Sequence, residues 1–328
     1  MIRIFRKCCY SLMICGLIVN AANAQSDIGL LLVAHGAADP QWNKPVMDFG
    51  GRINEMAMVE GKFKAVRTVL LEDAQPDVST GMEELKSAGC KSVVVVPLFI
   101  APSSHTLDDL PAELGLKTRD DEEKEEVDEG DRLAPPEVPV IVTPALDDGD
   151  VLFKFALRQV QKLSKQPEKE AIVLLAHGDD PYHRLIDRPM ARTLAYCCGQ
   201  TGIDYGNWAY IEMGQKYTEE GIPAIEQALK HKQRVLVVAM YLNTSAKRMH
   251  KMAIDKAMKA GKLLSDPSEG KDVVFSDEVV LRDPDLAKQV LEMATRAAAT
   301  PVLSQASVQF HPALPSATAE SQQGTDAQ

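Results

Sequence analysis

From residue 29 onward, short apolar runs alternate with segments of helical spacing. Gly29 to Ala34 is a continuous apolar run ending in His35-Gly36. Gln41 to Met58 has helical periodicity, Ala65 to Leu71 reads as a strand, and Pro76 to Ala88 as a helix. Ser92 to Phe99 carries four consecutive valines, the mark of a strand buried on both faces. A short helix over Leu107 to Leu114, a strand over Val138 to Val142 and a helix over Val151 to Leu163 complete the set. The order then repeats. Strands are predicted over Ala171–Ala176, Asn207–Ile211, Arg234–Leu242 and Val273–Ser276. Helices are predicted over Leu185–Cys198, Gly221–Lys230, Ser245–Lys259 and Asp285–Ala297. Alternation of this kind predicts an α/β fold with parallel sheets.

The halves match as motifs. "LLLVAHG" parallels "IVLLAHG", "TVLLEDAQPDV" parallels "WAYIEMGQKYT", and "SVVVVPLFIAPSSH" parallels "RVLVVAMYLNTSAK". His35 precedes Glu72 by 37 residues and His105 by 70; His177 precedes Glu212 by 35 and Lys247 by 70. Three matched elements in one order, with a shared 70-residue offset, point to an internal duplication.

The flanks follow different rules. Arg3, Arg6 and Lys7, an apolar stretch over Tyr10–Val19, and Ala22-Asn23-Ala24 read as a secretory signal over residues 1–24, too short to span a bilayer. Cleavage removes three positive charges and no negative ones, taking the net charge from -11 to -14. The expected product is exported, periplasmic and without stable membrane insertion. The boundaries expected are a first lobe over 25–165, a second over 166–299 and a disordered tail over 300–328, rich in Ala, Ser, Gln and Pro. Within the first lobe, 117–139 is a solvated acidic loop: nine acids and one lysine lie between Asp120 and Asp131. No basic stripe suits nucleic acid. The three cysteines left after cleavage, Cys90, Cys197 and Cys198, form neither a disulfide framework nor a zinc ribbon.

Ligands of open parallel sheets bind beyond the carboxyl ends of the strands. His35, Glu72 and His105 fall at that end of three successive strands. Each alone has an ordinary structural reading. Together, two imidazoles and a carboxylate make an open site for cobalt, nickel, ferrous iron or zinc.

The segments "LLLVAHGAADPQWNKPV", "VLLEDAQPDV" and "VVVVPLFIAPSSHTLDDLP" resemble the class II sirohydrochlorin chelatases of the CbiX type. The resemblance covers roughly Ile28 to Ala298 and is stronger in the first half. Histidine phosphatases also end a strand in His-Gly, but they place Arg before the His, where this chain has Ala34. The resemblance implies two similar chelatase-like lobes, each with a parallel four-stranded sheet flanked by helices, and a tetrapyrrole substrate between them. It implies that His35 and His105 bind the incoming Co²⁺, Fe²⁺ or Ni²⁺, with Glu72 as ligand or proton acceptor. The metal is then a substrate, and no organic cofactor is expected. An exported protein of this kind has a rival reading as a metal or tetrapyrrole carrier without turnover.

Sirohydrochlorin is rich in carboxylates and the chain is acidic, so a locally positive cleft is expected. Ser103 and Ser104 at a helix start, with Arg184, Lys247 and Arg248, are the candidate partners, and Thr244 and Ser245 precede a second helix. His177 and Glu212 are candidates for holding the ring from the opposite lobe. Lys247 stands where the first half has His105, which predicts a single metal site. His183 and His250 lie outside the motifs and are expected at the surface.

Overall fold

A computed structural model describes residues 27–72, 74–117 and 136–300. The expected signal segment, nearly all of the acidic loop and the expected tail lie outside the described residues. The first lobe contains β1 (Ile28–His35), α1 (Pro40–Glu60), β2 (Ala65–Leu71), α2 (Val78–Ser87), β3 (Ser92–Pro97), α3 (Leu110–Glu113), β4 (Val140–Val142) and α4 (Val151–Leu163). The second contains β5 (Glu170–Ala176), α5 (His183–Thr201), β6 (Gly206–Tyr210), α6 (Ile222–His231), β7 (Arg234–Met240), α7 (Ala246–Lys259), β8 (Val273–Phe275) and α8 (Leu286–Ala298).

Both sheets are four-stranded and parallel, with orders β2-β1-β3-β4 and β6-β5-β7-β8. The duplication extends to register. Ile28 pairs with Ser92 and Glu170 with Arg234, so one 142-residue offset (28 to 170, 92 to 234) relates both pairings. The central strands β1 and β5 are apolar apart from His35 at the end of one and Glu170 at the start of the other, because helices cover both faces.

Helix starts follow capping chemistry. The Asp39 carboxylate accepts from Gln41 N at the start of α1, and Asp77 accepts from Thr80 N at the start of α2. The expected helix over Leu107–Leu114 is instead a π-turn, His105–Asp109, running into α3. Its i→i+5 bond joins Leu110 N to His105 O.

One apolar core runs through both lobes. It joins Leu30, Phe49 and Leu70 of the first to Ile172, Met190 and Val238 of the second. The closing helices cross over to make it continuous: α4 packs on α5 and β7, while α8 packs on β3, β4 and α1. Buried Gln289 of α8 locks the exchange. Its amide nitrogen donates to Leu146 O at 2.9 Å, and its oxygen accepts from Asp150 N at 3.1 Å and Val151 N at 3.0 Å, at the start of α4. No helix among the described residues is long and apolar enough to cross a membrane.

Candidate metal centre and cleft

The carboxyl ends of both sheets face one inter-lobe cleft of about 600 Å³. His35 is the last residue of β1. The glycine after it is required sterically: a Cβ on Gly36 would stand 2.6 Å from the Glu72 carbonyl oxygen. In the second lobe, Gly178 has φ +85, and a Cβ there would stand 2.6 Å from the Cβ of Tyr210. The His-Gly motif is thus the mark of a central strand end pressed against its neighbour.

Glu72 follows β2 with φ 65, and Glu212 follows β6 with φ 49; among the described residues these are the only non-glycine residues with positive φ. A left-handed backbone at an L-residue costs roughly 1–3 kcal/mol and is held by its surroundings. Both lobes hold a glutamate in this state at the same place. In the first lobe it aims the carboxylate between two imidazoles. Glu72 Oε2 lies 3.4 Å from His35 Nε2, and Oε1 lies 3.1 Å from His105 Nδ1. One ligand atom from each of His35, Glu72 and His105 can be chosen so that all lie within 4.8 Å of one another. The two imidazole rings sit edge to face, with centroids 5.0 Å apart.

The electrostatics favour a neutral imidazole at His35. Burial pushes its pKa below the ordinary value and the neighbouring His105 pushes it the same way, against the pull of Glu72. His105 is oriented by a further carboxylate: its Nδ1 is 2.9 Å from Asp109 Oδ2, one turn along the π-turn. A proton on Nδ1 serves that contact and leaves the Nε2 lone pair free.

The remaining expected residues fall into two groups. Ser103 and Ser104 line the cleft, as do His177 and Glu212. Ser104 is committed to a bridge between the lobes: its backbone N–H and hydroxyl donate to Asp179 Oδ2 at 2.8 and 2.6 Å. Beside it, Tyr182 donates to Asp108 at 2.6 Å, a bond that, with burial, pushes the phenol up to about 12. Lys216, a residue the sequence reading passed over, pairs with Glu212 at 2.8 Å and with Asp180 at 3.2 Å. Arg184, Lys247 and Arg248 do not line the cleft, and Lys247 is exposed and pairs with Asp277 at 3.2 Å.

Two expectations are therefore corrected. Among the described residues Lys216 is the single lysine or arginine of the cleft lining, which does not include Arg184, Lys247 or Arg248. Of the two histidines expected at the surface, His183 is partly exposed there and His250 is not. His183 lines the cleft 2.8 Å from Asp180. His250 is largely buried, stacked on Phe275 and bonded to Tyr217 and Asp266. Of the residues missed, Asp109 lay within the quoted "SSHTLDDLP" element, whereas Lys216 and Asp179 carried no signal that sequence spacing exposes.

Residues 29–163 match the family model described as CbiX. A sirohydrochlorin cobaltochelatase of Methanococcus maripaludis is 32% identical over 93 residues, covering 28% of this chain and 62% of the relative. One from Saccharolobus islandicus is 34% identical over 89 residues, covering 27% and 65%. The chain thus spans less than two thirds of the length of these relatives. Among solved structures, the sirohydrochlorin chelatase SirB from Bacillus subtilis subspecies spizizenii, in complex with cobalt, aligns with a TM-score of 0.58 at 16% identity. That alignment covers 84% of this chain and 96% of SirB and supports the α/β chelatase-like architecture.

Proposed function

We propose that this protein is a metal chelatase of the CbiX type that inserts a divalent ion, Co²⁺ foremost and Fe²⁺ or Ni²⁺ as alternatives, into sirohydrochlorin or a related tetrapyrrole, a reading supported by the match of residues 29–163 to the CbiX family model. The observation that carries the reading is the convergence of His35, Glu72 and His105 at one strand-end edge. Insertion needs a metal held weakly enough to leave and an acceptor for the pyrrole protons. Two imidazoles hold the ion without adding negative charge, and three protein ligands leave positions open for ring nitrogens. Glu72, between them, takes one of the two pyrrole protons as the ring is metallated, and the other leaves to solvent through the open cleft. His177, across the cleft, steadies the ring. On this reading residues 1–24 direct export and the reaction is periplasmic.

The test uses the purified chain with sirohydrochlorin under anaerobic conditions and Co²⁺, Fe²⁺ or Ni²⁺. Multiple turnovers are expected in the absorption spectrum, abolished in His35→Ala and His105→Ala. Spectral change that stops at one equivalent would identify a carrier instead. Turnover unaffected by both substitutions would remove the site assignment.

A further inference from the structure

Each ionised arm of a tetrapyrrole needs water or a cation beside it, because a carboxylate taken from water without a partner is strongly disfavoured. The cleft offers few such partners. Among the described residues Lys216 is the only lysine or arginine lining it, and it is already held by Glu212 and Asp180. Three carboxylates, Asp179, Asp180 and Glu212, face the same space. The Ser104 donors are taken by Asp179 Oδ2, and the other oxygen of Asp179 is buried without a hydrogen-bond partner in the structure. The Asn243 amide is committed to the Trp42 carbonyl. The buried Thr244 hydroxyl has no partner and remains available.

The rest of the wall is built for flat apolar surface. Trp42, Leu98, Phe99, Ile186, Met213 and Leu242 come from both lobes and line opposite sides. The basic residues that a polyanion would need are elsewhere: Arg184 and Arg248 are outside the lining, and Lys247 is engaged with Asp277.

Resting on the chelatase reading, we infer that the ring this cleft accepts carries few carboxylates and is held by its apolar faces, so that heavily carboxylated sirohydrochlorin is a poorer ligand than a sparsely carboxylated tetrapyrrole. The acidic lining repels extra arms and the apolar walls reward the bare macrocycle.

The experiment measures fluorescence quenching of three metal-free rings by the full chain: uroporphyrin, coproporphyrin and deuteroporphyrin, which share a core and carry progressively fewer carboxylates. Affinity is expected to rise along that series, with deuteroporphyrin at least tenfold tighter than uroporphyrin. Salt near 1 M, where the Debye length falls to about 3 Å, is expected to narrow the gap. Asp180→Asn, which removes one cleft carboxylate and leaves Lys216 paired with Glu212 alone, is expected to narrow it as well. Met213→Glu is expected to weaken deuteroporphyrin severalfold, and an unchanged affinity would mean that the ring adheres outside the cleft and would overturn the inference. Uroporphyrin binding tightest would also overturn it while leaving the chelatase reading intact. Failure of all three rings to bind, together with no insertion into sirohydrochlorin, would overturn both.

Discussion

The two lobes share a backbone and differ in what they put on it. Each ends its central strand in His-Gly, and each holds a left-handed glutamate after the neighbouring strand. In the first lobe the glutamate lies between two histidines. In the second its counterpart, Glu212, is paired with Lys216, and the position equivalent to His105 is Lys247, turned toward Asp277. The geometry that aims a carboxylate into the cleft therefore survives where no metal triad forms. Side-chain identity, and not backbone shape, separates the candidate metal site from a wall of the cleft.

The largest expected effect tests that asymmetry directly. His35→Ala or His105→Ala is expected to abolish high-affinity Co²⁺ binding, a loss beyond the ~100-fold that removal of an outer-shell partner brings. His177→Ala is expected to leave Co²⁺ affinity within a factor of about 3, because His177 Nδ1 is turned to the Gly178 carbonyl and no counterpart of His105 stands near it. Calorimetric titration with Co²⁺ reads all three. Equal losses in the three variants would mean that the lobes share one metal site.

Next in size is Asp109, which the second lobe lacks. Asp109→Ala is expected to weaken Co²⁺ binding by about 10–100-fold, with unchanged thermal stability, since it orients His105 and does not itself reach the triad. Asp109→Asn, which can still accept from Nδ1–H, is expected to restore part of the affinity. A metal affinity indifferent to both substitutions would assign the Asp109 contact to packing alone.

A third comparison sets Ile28 against Glu170, which occupy equivalent register positions at the start of the central strands. Glu170 is fully buried. Burial alone would raise its pKa, but the Ser164 hydroxyl and the Gln166 and Lys165 backbone N–H groups outweigh this and hold it below the ordinary carboxylate value. The unfolded chain then binds the proton more readily than the folded one, so stability rises with pH. This contribution is complete above the ordinary carboxylate range and is lost as pH falls through the lowered folded value. Glu170→Gln is expected to cost about 1–2 kcal/mol at neutral pH and to flatten the fall in Tm from about pH 5 to about pH 3. Parallel Tm-against-pH curves for variant and parent would mean that Glu170 is not the buried titrating group.

The fold was legible because its signals are local and periodic: the valine run of β3, the alternation of apolar runs with helical spacing and the repeat offset are all read along the chain. The triad was legible because its members lie at or beyond the carboxyl ends of consecutive strands: His35 ends β1, Glu72 follows β2, and His105 opens the π-turn after β3. What spacing could not show was contact across the lobes. The exchange of α4 and α8, the Ser104–Asp179 bridge and the Lys216–Glu212–Asp180 cluster depend on how two sheets dock, which no periodicity encodes. The expectation of a positive cleft failed for the same reason. Arg184 and Lys247 are close to motif residues in sequence, but neither belongs to the cleft lining, and Lys247 pairs with Asp277.

The smallest expected effect concerns the left-handed glutamates themselves. At φ 65 and φ 49 any residue with a Cβ is strained, whereas glycine is not. Comparing Gly with Ala at each position cancels the loss of the carboxylate and isolates the backbone. Glu72→Gly is expected to be more stable than Glu72→Ala by about 1 kcal/mol, and Glu212→Gly than Glu212→Ala by a similar amount. In the first lobe both variants are expected to lose Co²⁺ affinity; in the second neither is. Thermal melts and Co²⁺ titration of the four proteins therefore separate the two roles of one conformation. If the Gly and Ala variants melt alike in both lobes, the strain is absent. If they differ in only one, the backbone likeness of the lobes is narrower than their register indicates. A stability difference in both, with a metal effect in the first alone, is the pattern of a duplicated scaffold in which only one copy supplies ligands.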